Sequence, residues 1–195
     1  MHGAVICIDS PTDLRTHNRG GGKWRRGRTI AAAKRTNCDE RRCIGEARGS
    51  LDERTNSLGL FNFAEAYRLS AIALQLENIA HGHAHTPVRV FYHHAIELYL
   101  KALLRQKYSA TDLTERFRHD IKRMTKEAEK LGLTPTDEDR EVFSVLTETN
   151  AFIEARYIIT GSKTFVTFEA LNQTCDNLRE GIGRILRKNG VMIRL

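Results

Sequence analysis

The sequence predicts an all-α protein, an antiparallel helical bundle of about five helices with a disordered N-terminal extension. Three observations carry this reading. From Phe61 onward, apolar residues recur three and four positions apart through one segment after another, the period of a helix that buries one face. The connections between segments are short and hold cap and turn residues such as Thr86-Pro87, Ser109, Gly132 and Thr134-Pro135. Before residue 57 that period is missing, and no stretch carries the alternation of a convincing strand. The domain division that follows is residues 1–56 as extension and 57–195 as bundle.

The first helix is expected over roughly 60–80, with Phe63, Tyr67, Ala71, Leu74 and Ile79 on its apolar face and Ala64, Ile72 and Leu76 filling in. The segment His81-Gly-His-Ala-His85 reads as an inter-helix loop. Its three histidines suit a transition metal, but no carboxylate or cysteine partner is adjacent. The second helix covers 87–105 and organises the rest. Thr86 is placed to cap it, and Pro87 at its first position loses no needed donor. Phe91, Ala95, Leu98, Ala102 and Leu103 form its stripe, and Ile96, Tyr99, Leu100 and Leu104 widen it, so the helix should be largely buried. A narrow polar line stays on it: His94, Glu97 and Lys101, with Arg89 and His93 beside them. As a solvated stripe with one Glu97–Lys101 pair, that line is worth a few tenths of a kcal/mol. The alternative is a line that faces a partner or pocket.

A third helix is expected after caps in Ser109–Asp112, with Leu113, Phe117, Ile121, Met124, Ala128 and Leu131 inward and Gly132 as the stop. Its outer face holds Arg116, Arg118, Lys122, Arg123, Lys126 and Lys130, diluted by Glu127 and Glu129. This is the best nucleic-acid candidate within the bundle. The acidic run Asp137-Glu138-Asp139 opens a fourth helix that reaches about Arg156 and carries Val142, Phe143, Leu146, Phe152 and Ile153. Residues 157–164 read as a connection. The fifth helix covers roughly 166–188 with Leu171, Cys175, Leu178, Ile182 and Ile185 on one face, and the apolar tail from Val191 can pack back.

With 195 residues, 41% hydrophobic and 28% charged, the chain suits one soluble domain with a tail. No apolar run approaches a membrane span, and the patch Ala4–Ile8 is too short and lacks the basic lead of a signal peptide. A cytoplasmic location is the expectation. The net charge is +7, but residues 1–56 hold 12 Lys/Arg against 7 Asp/Glu, and the remainder 19 against 17. The basic excess therefore sits mostly outside the bundle. The run Arg19-Gly-Gly-Gly-Lys-Trp-Arg-Arg-Gly-Arg28 reads as a solvated extension, or as one that holds RNA by charge and stacking. Of the four cysteines, Cys7, Cys38, Cys43 and Cys175, only Cys38 and Cys43 are close, with no second pair to complete a zinc site. No metal and no cofactor is expected. Phosphate-loop and nucleophile-elbow motifs are missing.

The run His94-Ala-Ile-Glu-Leu-Tyr-Leu-Lys-Ala-Leu-Leu resembles the signature helix of HEPN domains, the higher eukaryote and prokaryote nucleotide-binding helical domains. Arg118-His119-Asp120-Ile121 is similar to that family's His-Asp-hydrophobic step at the next helix, and Ala155-Arg156-Tyr157 to its Arg-Tyr pair before the last. The resemblance covers roughly residues 60–190. It implies a module that binds nucleotide or RNA, or a partner such as a nucleotidyltransferase-type antitoxin, with a homodimer expected. The candidate binding residues are Glu97, Lys101, Arg118, His119, Asp120, Lys122, Arg156 and Tyr157. Some members of the family are metal-independent ribonucleases marked by an arginine, four to six residues and a histidine. Within the bundle only Arg89 and His94 have that spacing, on the second helix rather than a later one, and no histidine follows His119. The preferred expectation is thus a non-catalytic binding module. The alternative is a ribonuclease toxin in which His94 moves the proton of a ribose 2′-hydroxyl and Arg89 holds the phosphate charge.

Overall fold

The computed structural model describes residues 5–8, 54–77, 85–148 and 163–194. Its long helices are α1 (Ser57–Leu76), α2 (His85–Leu104), α4 (Ile121–Lys130), α5 (Asp137–Glu148) and α6 (Phe168–Lys188). A single turn, α3 (Ala110–Asp112), runs into a wider π-type turn over Leu113–Phe117. Two short strands, β1 (Val5–Ile8) and β2 (Lys163–Val166), pair antiparallel with Val5 opposite Val166.

At the centre lies α2, where residues from Val88 to Leu104 are buried around most of the circumference. Leu100, Leu103 and Leu104 are fully enclosed, each worth about 1.5–3 kcal/mol of burial. Ala64 and Ala71 on α1, with Ala95 and Ala102 on α2, are also fully buried, and small residues at such positions let two helices approach closely. The two helices run antiparallel. Phe61 meets Tyr99 edge to face at 5.4 Å, Tyr67 meets His94 at 4.4 Å, and the Tyr92 hydroxyl donates to Gln75 Oε1 at 3.1 Å. Against this pair packs α6, whose first residue Phe168 lies by Tyr92 and whose later Asp176 pairs with Arg68 at 2.8 Å. It is therefore antiparallel to α1 and parallel to α2, since three mutually packed helices cannot all oppose one another. A polar seam ties the three. Glu65 accepts from the Tyr99 hydroxyl and lies 3.1 Å from Arg179 Nε.

Local signals place the ends. Asn56 caps α1 through Gly59 N–H at 2.7 Å, and Thr167 caps α6 through Ala170 N–H at 3.2 Å. Ser109 and Asp112 form a capping box, as do Thr136 and the buried Asp139, which also accepts from Asn177 at 3.1 Å. Gly132, at φ +95°, ends α4 with Leu133 N–H bonded to the Ala128 carbonyl and Gly132 N–H to that of Glu129. Ile193 packs back on the bundle as the tail pattern suggests.

Several expectations change. The third helix is not continuous: its apolar stripe holds, but the chain breaks at Arg118–Asp120, where Asp120 starts α4 by accepting from Arg123 N–H at 2.9 Å. An aspartate offered to a helix start competes with continuing the preceding turn. The buried face of α1 is Phe61, Ala64 and Ala71, which leaves Phe63 exposed. A short strand pair adds to the helices, with Val5–Ile8 in the expected extension and Lys163–Val166 partly in the expected connection. Four-residue strands give alternation too little length to register. Residues 81–84 and 149–162 lie outside the described residues, as does most of the expected extension.

Burial raises the Tyr92 phenol to about 12, and burial together with its bond to Glu65 raises Tyr99 further. Unfolded tyrosines ionise near pH 10, so folded phenols that stay neutral contribute stability that is full below about pH 10 and is lost as pH rises toward 12. The urea midpoint should fall steeply between pH 9.5 and 11.5, and Tyr92→Phe should flatten that fall; an unchanged slope would contradict the assignment.

Candidate functional site around Glu97 and His119

Burial of α2 on nearly all sides carries Glu97 inward with it, leaving its side chain only 2% exposed. The polar line on α2 is therefore not a solvated stripe. A carboxylate taken from water needs partners, and Glu97 has two. Lys101 Nζ, one turn on, donates to Oε1 at 2.6 Å. Oε2 lies 2.9 Å from His119 Nδ1, which reaches in from the break before α4. Lys101 is 13% exposed and His119 50%, so the cluster runs from a buried anion to a histidine at the surface. With Glu97 ionised, Nδ1 is the donor in this bond.

The break that delivers His119 is itself held in an uncommon backbone. Arg118 sits at φ 50°, ψ −111°, a region costly for a residue with a Cβ, at about 1–3 kcal/mol. Asp120 N–H closes a turn on the Phe117 carbonyl at 3.0 Å, and Arg123 Nη1 donates to the Arg116 carbonyl at 2.8 Å. Arg116 and Arg123 each lie 5.5 Å from the centre of the Phe117 ring, and Arg116 also stacks at 5.2 Å on Tyr108.

Around His119 the exposed charges are mostly basic, with Glu115 and Asp120 the exposed acids beside them. Arg116, Arg118, Lys122, Arg123 and Lys126 are exposed, and none forms an ion pair among the described residues. The acids of α4, expected to dilute this face, are engaged elsewhere. Glu127 pairs with Lys130 at 2.5 Å and accepts from the Tyr108 hydroxyl at 2.9 Å, while Glu129 pairs with Arg140. Hydrogen bonds from Lys130 and Tyr108 hold the Glu127 carboxyl below its usual range.

Arg89 and His94 do not meet in this fold. Five positions on a helix place them about 140° apart. Arg89 points to the start of α6, where its guanidinium lies 4.5 Å from the Phe165 ring and 4.7 Å from Phe168 and donates to the Val166 carbonyl. Burial pulls it down to about 10, and it remains charged at neutral pH. His94 packs edge-on against Tyr67 of α1. Of the sequence candidates, then, the structure gathers Glu97, Lys101 and His119, with Arg118 and Lys122 on the surface nearby. Asp120 is taken up in capping. Arg156 and Tyr157 lie outside the described residues. The link from Glu97 to His119 spans 22 positions and has no local spacing by which to find it. His85, the last of the alternating histidines, packs at 5.4 Å on Phe168. Among the described residues no group of three potential metal ligands occurs, and no helix is long and apolar enough to cross a membrane.

The family model for the HEPN domain matches residues 76–185, more than half of the chain. Comparison with curated proteins and with solved structures gives no match.

Removing the shared carboxylate with Glu97→Ala leaves Lys101 facing a buried void and His119 without its anchor. The stability loss in urea should be about 3–5 kcal/mol. Nitrogen NMR of the imidazole should show His119 protonated at Nδ1 in the native protein and without that preference in Glu97→Gln. An unaltered tautomer in the variant would show that Glu97 does not orient the ring.

Proposed function

The chain belongs to the HEPN domain family, and on that premise we propose that this helical module binds RNA phosphates on the face formed by the Arg118–Asp120 break and α4. One observation carries the reading: His119, half exposed and tied to a buried carboxylate, stands among five exposed basic side chains that form no ion pair among the described residues. Phosphate oxygens are met by such exposed, unpaired cations, each displacing condensed counterions on contact. Tyr108, with Arg116 stacked on it, supplies an aromatic surface beside the charge, of the type on which an unpaired base can rest. The net of the bundle is small, so the face rather than the overall charge supplies the attraction.

A second reading is favoured by the His119 geometry. A histidine whose ring is oriented by a carboxylate at Nδ1 suits proton transfer, and a neighbouring arginine would hold the charge of the cleaved phosphodiester. In that reading the proton-transfer residue is His119, not His94. RNA cleavage in EDTA by the full chain should then vanish in His119→Ala and persist in His94→Ala.

Binding is measured by anisotropy of a labelled single-stranded RNA at several salt concentrations. Lys122→Glu and Lys126→Glu should each weaken binding and lower the slope of log K against log salt by about 1, whereas Lys188→Glu, at the far end of α6, should leave both unchanged. Equal slopes in all three variants would remove the phosphate contacts from this face.

A further inference from the structure

Arg89 serves neither the His119 cluster nor the basic face. Its guanidinium is partly buried, and no carboxylate pairs with it among the described residues. Withdrawing a cation from water without a counter-charge costs free energy. What offsets that cost here is β2. The guanidinium lies against the Phe165 and Phe168 rings and donates to the Val166 carbonyl. The Val166 side chain is buried in the core, β2 packs on α5, and Thr167 caps α6 directly after the strand. A side chain, a backbone carbonyl and the helix that follows thus fasten β2 to the bundle.

For β1 the attachment is different. It packs chiefly on β2, with Val5 opposite Val166, Ile6 opposite Phe165, Cys7 opposite Thr164 and Ile8 opposite Lys163. Residues 9–53 separate it from Arg54, just before α1. A pair of four-residue strands is marginal in water by itself, so the loosely held member can leave while the anchored one stays. Without β1, one edge of β2 presents unpaired N–H and C=O groups, a template for another strand. An anchored edge with a detachable occupant is the geometry of recognition by strand addition, in which main-chain hydrogen bonds supply affinity and alternate side chains supply selectivity. We infer that the β2 edge is a docking slot for an extended segment of a partner protein, and that β1 fills this slot from within the chain when no partner is bound. The occupant shows the chemistry that fits: Val5-Ile-Cys-Ile8 is uncharged, β-branched at three of its four positions and antiparallel to β2. Covalent attachment raises the effective concentration of β1 over that of any free peptide. The slot therefore admits a partner whose segment is longer or better matched than β1. The inference does not depend on phosphate binding.

The probe is a fluorescent peptide with the sequence of residues 1–10 carrying Cys7→Ser, titrated into the full chain and into its Ile6→Pro/Cys7→Pro variant. Successive prolines remove neighbouring N–H groups, one of which faces β2 whichever way the strand is turned. With helix content native by circular dichroism, anisotropy should report binding at least about tenfold tighter to the proline variant than to the unaltered chain. Arg89→Ala in the proline background should weaken that binding about tenfold or more, and the same peptide carrying Ile6→Pro and Cys7→Pro should not bind. Equal binding to both chains, or none to a natively helical proline variant, overturns the inference. Hydrogen exchange of the unaltered chain tests it without any variant: amides of residues 5–8 should exchange by local opening, far faster than those of α2. Exchange of both only on global unfolding would show that β1 does not leave the edge, and overturns it as well. A dimer in sedimentation that the proline pair abolishes would mean that copies of the chain trade β1, which also overturns a partner's slot.

Discussion

The bundle turns on one buried carboxylate. Glu97 sits on the most enclosed helix of the molecule, where isolation of an anion would cost several kcal/mol. Its two oxygens are divided between Lys101 of the same helix and His119 from another segment. The first bond is local and would form in any helix with this spacing. The second requires the chain after α3 to turn back at a fixed place. The broken backbone at Arg118, the cap from Asp120 and the anchoring of Arg123 on the Arg116 carbonyl all serve that one placement.

That constraint links packing to chemistry. The apolar stripe of Leu113, Phe117, Ile121, Met124 and Ala128 stays in the core across the break. The break therefore leaves the core in place and changes what the surface presents. A continuous helix would spread Arg116, Arg118, Lys122 and Arg123 along a regular basic face. The turn instead gathers arginines about the Phe117 ring, beside a histidine with one nitrogen fixed. Glu127 and Glu129, the acids of α4, are drawn off to Lys130, Tyr108 and Arg140. The result is a largely basic surface built on a core whose two buried carboxylates, Glu97 and Asp139, are each bonded to polar partners.

Much of this was legible in the sequence because it is periodic. The extent of α2, the caps at Ser109, the stop at Gly132 and the acidic start of α5 follow from side-chain spacing and end chemistry within a few residues of each other. What escaped is long-range or aperiodic. Periodicity identifies Glu97 and Lys101 as neighbours, yet it reads them as solvated, since nothing local says that the polar edge of α2 is covered by a distant turn. Arg89 and His94 match a spacing along the chain but diverge around the helix, because a linear interval carries no angle until the helix is drawn. The strand pair joins residues more than 150 positions apart, beyond the reach of a local pattern. On α1 the helical spacing points Phe63 inward, whereas Phe61 and Ala64 hold that face. The hydrophobic excess on that helix is wide enough to allow either face, and the surplus is what remains exposed.

Binding of nucleic acid at the break that carries His119, proposed above, is tested most directly by two-dimensional NMR of the full chain during titration with a short single-stranded RNA. The His119 imidazole and the backbone amides of residues 116–123 should shift together and saturate in one transition. Shifts confined to other segments, with residues 116–123 and the imidazole unmoved at saturation, would contradict it.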